Sequence, residues 1–415
     1  GFMSSGNHRF RDNVIAVFGF KVLIYFAAMV VSVFLARILS QNDRGIVAVS
    51  ASITGVILQF GNLGLHSANT YYIARNKDEV DKCMGGSIFV TAMVGLVSVI
   101  ACVFFMFNPT MLNLDRRIIL LSFLFVPVSI FSMFLKNIFI ALSKVMIYNI
   151  LELLESILYP LIVAVFYIMG TTINADFVLL ISLCAAVGVV LIGLSQYKYG
   201  VSFSKEFIGK SVVYGIKSYA SCIMAYLVLE ADILMLNYFL SKDQISLYSL
   251  DSSLGKMIFM VSSSGTIIMF PYMGRLNDYR EVLVLMKKVY KVMVPITLCR
   301  VSIVYIFSPW VVTFLYGKAY AETAVILRFL LPGIFWWSLA SYLFIYFANE
   351  NRYLPAIIVP GIGFLFNIVL NMILSPRYGN YGAAVSSDMS YLICLLGMLM
   401  SFIIHNQRVT ISATE

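Results

Sequence analysis

Six basic residues stand inside stretches that are otherwise apolar: Lys21, Lys136, Lys217, Lys256, Arg300 and Arg328. A charge at the centre of a membrane helix costs about 2.5–3.5 kcal/mol on the insertion scale, so each needs a partner or a use. The chemistry open to such a set is electrostatic. Several cations around a low-dielectric space can hold a multiply charged anion. Two of the six share a context: VFGFK (17–21) and VYGIK (213–217) both run valine, aromatic, glycine, apolar residue, lysine. The competing reading for these two is snorkelling, with the stem buried and the ammonium in the headgroup layer. For Lys256 and Arg300, nearer the middle of their runs, it is a buried ion pair with Asp251 or Asp388. Lys136 and Arg328 lie closer to the ends of theirs.

The elements that must position these charges are membrane helices. The 415-residue chain is 61% hydrophobic and 12% charged, against about 45–50% and about 25% in soluble domains. Apolar runs of helical length recur throughout, without the alternation of a membrane barrel. Twelve spans are predicted: 14–36, 46–66, 85–107, 118–142, 150–169, 176–197, 212–240, 247–272, 284–308, 322–347, 355–375 and 383–405. An even number puts both termini on one side. If that side is cytoplasmic, sixteen Lys and Arg fall in inner segments and seven in outer loops, as the positive-inside rule prefers. Met3 reads as a natural start, with Gly1 and Phe2 as additions. The first span lacks a small-residue cleavage site and reads as a retained helix. Cys83, Cys102, Cys184, Cys222, Cys299 and Cys394 have no metal-ligand spacing and suggest no disulfide. No basic tail suggests nucleic acid, and no nucleotide loop, metal run or nucleophile motif suggests an enzyme.

The two halves echo each other. LSQND (39–43) precedes span 2 and LSKDQ (240–244) precedes span 8. ARNKDEV (74–80) and GRLNDYREV (274–282) follow them. The expected organisation is an N-terminal lobe over 1–197, a cytoplasmic linker over 198–211 and a C-terminal lobe over 212–415. Parallel repeats of this kind form two bundles about an axis along the membrane normal, with a path between them.

Four stretches carry a family resemblance. They are FGNLGLHSANTYYIAR (60–75), EADILMLNYFLSKDQISLYS (230–249), FLYGKAYAETAVILRFLLPG (314–333) and NIVLNMILSPRYGNYGAAVSSDMSY (367–391). In this order they resemble the bacterial O-antigen and polysaccharide (Wzx-type) flippases, a branch of the MATE-like MOP superfamily. The resemblance implies an all-α polytopic protein with two six-helix lobes around a central cavity. It implies movement of an undecaprenyl-pyrophosphate-linked oligosaccharide, an O-antigen or capsule unit, from the inner to the outer leaflet of a bacterial cytoplasmic membrane. It also implies contact with the machinery that polymerises the units.

Within that frame Lys21 and Lys217 become a pyrophosphate clamp, with Lys256, Arg300, Arg328 and Lys136 as further cavity cations. Asn367 and Asn371 are one turn apart on one helix face. With Asp232 and Asp388 they match, in part, a cation site of relatives, which opens coupling to H⁺ or Na⁺; an Asn at 371 in place of an acid departs from that pattern. No other cofactor is expected. Ser252, Ser253 and Ser263 on a serine-rich span 8, and Trp336 and Trp337 on span 10, are candidate sugar contacts. Glu152 and Glu155 read as a proton relay or as interfacial residues.

Two other readings compete. A MATE-type exporter of drugs or metabolites commonly uses an acid in the first span, where Val14–Ala36 has a lysine and no acid. A membrane polymerase or ligase carries a long outer loop, whereas the outer loops here are short.

Overall fold

The computed structural model describes residue 20 and residues 23–273, 279–350 and 352–412. Lys21 lies outside the described residues, as does the side chain of Ser263. The described chain is helical. In order the helices are α1 (Leu23–Ile38), α2 (Gln41–Gly61), α3 (Leu65–Arg75), α4 (Val80–Phe107), α5 (Arg116–Ala141), α6 (Val145–Ile168), α7 (Ala175–Gln196), α8 (Lys205–Glu230), α9 (Asp232–Phe239), α10 (Lys242–Met273), α11 (Tyr279–Tyr316), α12 (Ala321–Asn349) and α13 (Tyr353–Ser412).

Among the described residues nine helical stretches are long and apolar enough to cross a membrane. α13 is counted there once but holds two crossings, because Gly379 (φ 58°, ψ −135°) breaks it into two helices. Such a φ suits glycine and strains other residues. α1 is described only from Leu23, and α10 (Lys242–Met273) is not among the nine. With these the twelve predicted spans each have a helix. Wide apolar faces are exposed, for example Leu96, Val97, Ile100 and Phe107 on α4. Exposed apolar faces on helices of membrane-spanning length suit lipid, and the chain is a multi-pass membrane protein.

The structure adds detail at two spans. Span 2 is followed by a break at Asn62–Gly64 before α3. Asn62 caps it: its Nδ2 donates to Leu58 O (2.9 Å) and its Oδ1 accepts from Gly64 N (2.7 Å). Span 7 is interrupted at Ala231, giving α8 and α9, and Asp232 Oδ1 accepts from Ile233 N (2.9 Å) at the start of α9.

The polar positions of LSQND and LSKDQ turn out to be helix caps, whereas residues 274–278 of the second motif pair lie outside the described residues. In LSQND, Ser40 Oγ accepts from Asp43 N (3.1 Å) at the start of α2. In LSKDQ, Ser241 Oγ accepts from Gln244 N (3.3 Å), and Gln244 Oε1 accepts from Ser241 N (3.2 Å), a reciprocal capping box. Asp43 also accepts from Ala175 N (3.1 Å), which ties the starts of α2 and α7.

The chain divides into two compact units, one ending at Ala220 and the other beginning at Ser221. The division falls inside α8, so its first part, Lys217 included, goes with the first unit. Residues 198–211 also pack there: Ser202 N donates to Asp81 O (2.9 Å). In the first unit α5 is the central helix, flanked by α2, α3, α4, α6 and α7. Its Val126, Ile130, Phe134 and Ile138 are fully buried, as expected of a helix apolar on most sides. In the second unit α12 holds that place against α10, α11 and α13, with Tyr342, Tyr346 and Phe347 inside.

Candidate functional site: cationic grooves and a buried polar ladder

In the first unit α8 seats on the break between α2 and α3. Gly64 (φ 67°) faces Gly215, the glycine of VYGIK, closely enough that a Cβ on Gly64 would lie 2.2 Å from the Gly215 carbonyl oxygen. Beside this contact the ring of His66 stands edge-on to Tyr219 (4.7 Å), and Tyr219 donates to Gln59 Oε1. Tyr214 stacks on Tyr71 (4.4 Å), and the Arg75 guanidinium lies over the Tyr71 ring at 4.3 Å. These contacts fix the rotation of α8 and hence where its lysines point.

Lys217 is exposed and lines an open groove of about 910 Å³ with Tyr72, Lys205, Glu206, Gly209, Lys210, Val213 and Tyr214. Lys210 is paired with Glu206 (2.5 Å), one turn earlier. The groove therefore keeps a net positive charge and an aromatic wall. That combination suits an anionic headgroup attached to a partly apolar molecule.

Lys136 is different. It forms an ion pair with Glu155 of α6, and both side chains are largely shielded. Glu155 lines an internal cavity of about 290 Å³ with Ser50, Thr54, Ser122, Tyr159 and Ser182 among its walls. Ser50 and Ser122 share a hydrogen bond of 2.5 Å across α2 and α5.

In the second unit the structure brings together residues of α9, α10 and both halves of α13. Tyr248 donates to Asp232 Oδ2, and Ser387 Oγ donates to the same oxygen (3.3 Å). Asn367 Nδ2 donates to Ser387 Oγ (3.4 Å), Asn371 Nδ2 to Asn367 Oδ1 (2.9 Å) and Ser375 Oγ to Asn371 Oδ1 (2.8 Å). Asp232, Asn367 and Asn371 thus stand in one buried ladder. Asp232 is buried, with only 2% of it exposed. Asp388 is one residue from Ser387 but stands apart from the ladder. It faces α12, against Gly333 and within hydrogen-bonding reach of Trp336. Oxygen-rich groups in such an array suit a small hard cation or a proton path.

The remaining basic candidates have definite neighbours. Lys256 pairs with Glu230 at 2.6 Å, not with Asp251 or Asp388 as the spacing had offered. Arg328 Nε donates to Tyr305 O (3.0 Å), and its guanidinium lies 4.8 Å from the Tyr305 ring centre. Arg300 is half-buried on α11, near Tyr342.

Of the described candidate sugar contacts, Ser252 and Trp337 line one small cavity, and Ser253 and Trp336 are not among its walls. Trp337 is 4% exposed and packs on Tyr391 and Phe344. Trp336 is half-buried beside Phe335. Ser252 is buried at a small cavity, and Ser253 Oγ donates back to Ser249 O (2.8 Å). Tyr248, Ser387, Glu230 and Tyr391 were not singled out from the sequence. Their roles arise from contacts across long separations.

The fold is that of a known class of membrane transporter. Lipid II flippase MurJ in an inward closed conformation aligns with 94% of this chain and 87% of its own, at 15% identity and a TM-score of 0.76. An inward-facing multidrug resistance MATE family transporter of the MOP superfamily aligns over 94% of each chain, at 15% identity and a TM-score of 0.71. The MATE multidrug transporter DinF-BH in complex with R6G aligns over 92% of each, at 14% identity and 0.68. No curated protein sequence matches the chain. The particular family follows from the sequence: the polysaccharide biosynthesis protein family matches residues 10–277, and the chain belongs to it. The family resemblance read from the four stretches is borne out in the polysaccharide biosynthesis family and in a fold shared with MurJ and the MATE transporters.

Proposed function

We propose that the protein flips an undecaprenyl-pyrophosphate-linked oligosaccharide, an O-antigen or capsule repeat unit, from the inner to the outer leaflet of a bacterial cytoplasmic membrane. The observation that carries this reading is the basic, tyrosine-walled groove at Lys217 in a chain of the polysaccharide biosynthesis family. With both termini cytoplasmic, that groove opens at the inner leaflet, where a lipid-linked headgroup is first met. Lys205 and Lys217, with Lys21 of the matching motif, would hold the pyrophosphate. The lipid chain would remain in the bilayer while the two lobes exchange access. The ladder from Asp232 to Ser375 supports coupling to a small cation, H⁺ or Na⁺, with Asp388 as a neighbour outside it. Contact with the polymerising machinery belongs to the same reading.

A MATE-type exporter is the second reading, favoured by the fold shared with the two multidrug transporters. Against it, α1 from Leu23 to Ile38 contains no acidic residue.

Proteoliposomes separate the two. The flippase reading expects a pyrophosphate-linked lipid oligosaccharide to become accessible in the opposite leaflet only when the protein is present. Export of a cationic dye without movement of any such lipid would overturn it.

A further inference from the structure

Asp251 has no place in the ladder, yet none of its surface is exposed and neither carboxylate oxygen has a hydrogen-bond partner among the described residues. It lies three residues after Tyr248 on α10, so the two share a helix face. Tyr391 lies four residues after Ser387 on α13, and Asp251 and Tyr391 are within electrostatic reach of each other. The pair therefore forms a second rung, one turn beyond Tyr248–Asp232–Ser387. The first rung supplies Asp232 with three donors, from Tyr248, Ser387 and the Ile233 amide. The second supplies Asp251 with none.

Among the described residues no cation is paired with Asp251. Lys256, five residues on, is held by Glu230. Asp232 on α9 and Tyr391 on α13 are the other titratable groups close by, with Asp388 turned towards α12. On α11, Arg300 lies by Tyr342. α12 contributes Leu330, Ile334 and Trp337 to a cavity of about 40 Å³, which Ser252, Lys256 and Tyr391 also line. About 10–15 Å³ suffices for one water, and Tyr391 of the second rung and Lys256 of the ion pair both reach this space. An ionised carboxylate buried without partners costs so much that such a group takes a proton or a cation instead.

We propose that Asp251 is a proton-binding residue of the transport cycle, present as the neutral acid in this conformation and deprotonated when the second unit opens it to water. On binding, one O–H bond forms on the carboxylate and hydronium becomes water; on release the reverse occurs. The proposal rests on the reading of the chain as a transporter but not on its cargo.

Infrared difference spectra of the full-length protein in lipid membranes test it without any substrate. The wild type should show a protonated-carboxyl C=O band that shifts in D₂O and fades as pH rises. Asp251→Asn should lack that band, and Asp232→Asn should keep it. The band should be the same in sodium and choline buffers. Asp251→Glu, for use if the Asn variant does not fold, should keep the band at a changed frequency. The proposal is overturned if the band survives in Asp251→Asn or keeps its frequency in Asp251→Glu. It is equally overturned if the band ignores pH and D₂O, or if sodium abolishes it and so marks a metal-ion site. A flippase assay can fail while these spectra succeed, and the converse, so the two readings fail separately.

Discussion

Gly64 and Gly215 are in backbone contact: a Cβ on Gly64 would lie 2.2 Å from the Gly215 carbonyl oxygen, and one on Gly215 would lie 2.5 Å from that of Leu63. The glycine of VYGIK is therefore a packing requirement, and the lysine two residues later is placed by it. Gly215→Ala is expected to push α8 off the α2–α3 break and to destabilise the protein by about 1–3 kcal/mol, the usual cost of overpacking. Thermal unfolding in detergent should show a lower Tm. Gly209→Ala, where a Cβ meets open space, should not lower it.

Lys136 and Glu155 should behave as a coupled pair. Each is partly shielded, so loss of one partner is expected to cost about 1–3 kcal/mol, below the range for fully buried pairs. Lys136→Met with Glu155→Gln should cost less than the two single changes added together, and a double-mutant cycle measures the difference.

How much of this was legible follows from the range of the forces involved. The spans were readable because bilayer thickness imposes long apolar runs, and the break between the last two because Pro376 and Gly379 mark it locally. The interruption at Ala231 carries no such mark. The repeat LSQND/LSKDQ was visible as a pattern, but its work as two helix caps depends on backbone geometry. Tyr248 and Ser387, 139 residues apart, meet only after folding. Lys256 had two acids suggested for it by spacing, and the fold pairs it with a third, Glu230, 26 residues away. The groove lysines were found by motif for Lys217, but Lys205 and Lys210 had been counted only as loop charge.

The ladder should respond to loss of its donors. Tyr248→Phe leaves Asp232 with one donor fewer in a buried site and is expected to destabilise the second unit by about 1–3 kcal/mol. Asn371→Leu should strand the Asn367 Oδ1 and Ser375 Oγ partners and cost a similar amount. Amide hydrogen exchange of α9 and α13 should rise in both variants and stay unchanged in Asn371→Gln if the longer amide recovers the bonds.

Lys242 gives a pH signature. It lies ahead of span 8, donates to the Asn237 side chain, and burial pulls its pKa from 10.5 down to about 8. The folded state then binds fewer protons than the unfolded chain between about pH 8 and 10.5, so this group's contribution to stability rises with pH across that window. Lys242→Met should be more stable than the wild type at pH 7, and the gap should narrow by pH 10, read from unfolding midpoints at the two values.

The central claim is that cations at the groove hold the headgroup as it enters. The most direct test is the initial rate at which a pyrophosphate-linked lipid oligosaccharide crosses proteoliposome membranes, compared at equal amounts of folded protein. The account predicts a strong loss in Lys217→Ala, near-complete loss in Lys21→Ala/Lys217→Ala, and substantial recovery in Lys217→Arg. Equal rates in the wild type and the double alanine variant would contradict it and leave both lysines as snorkelling residues.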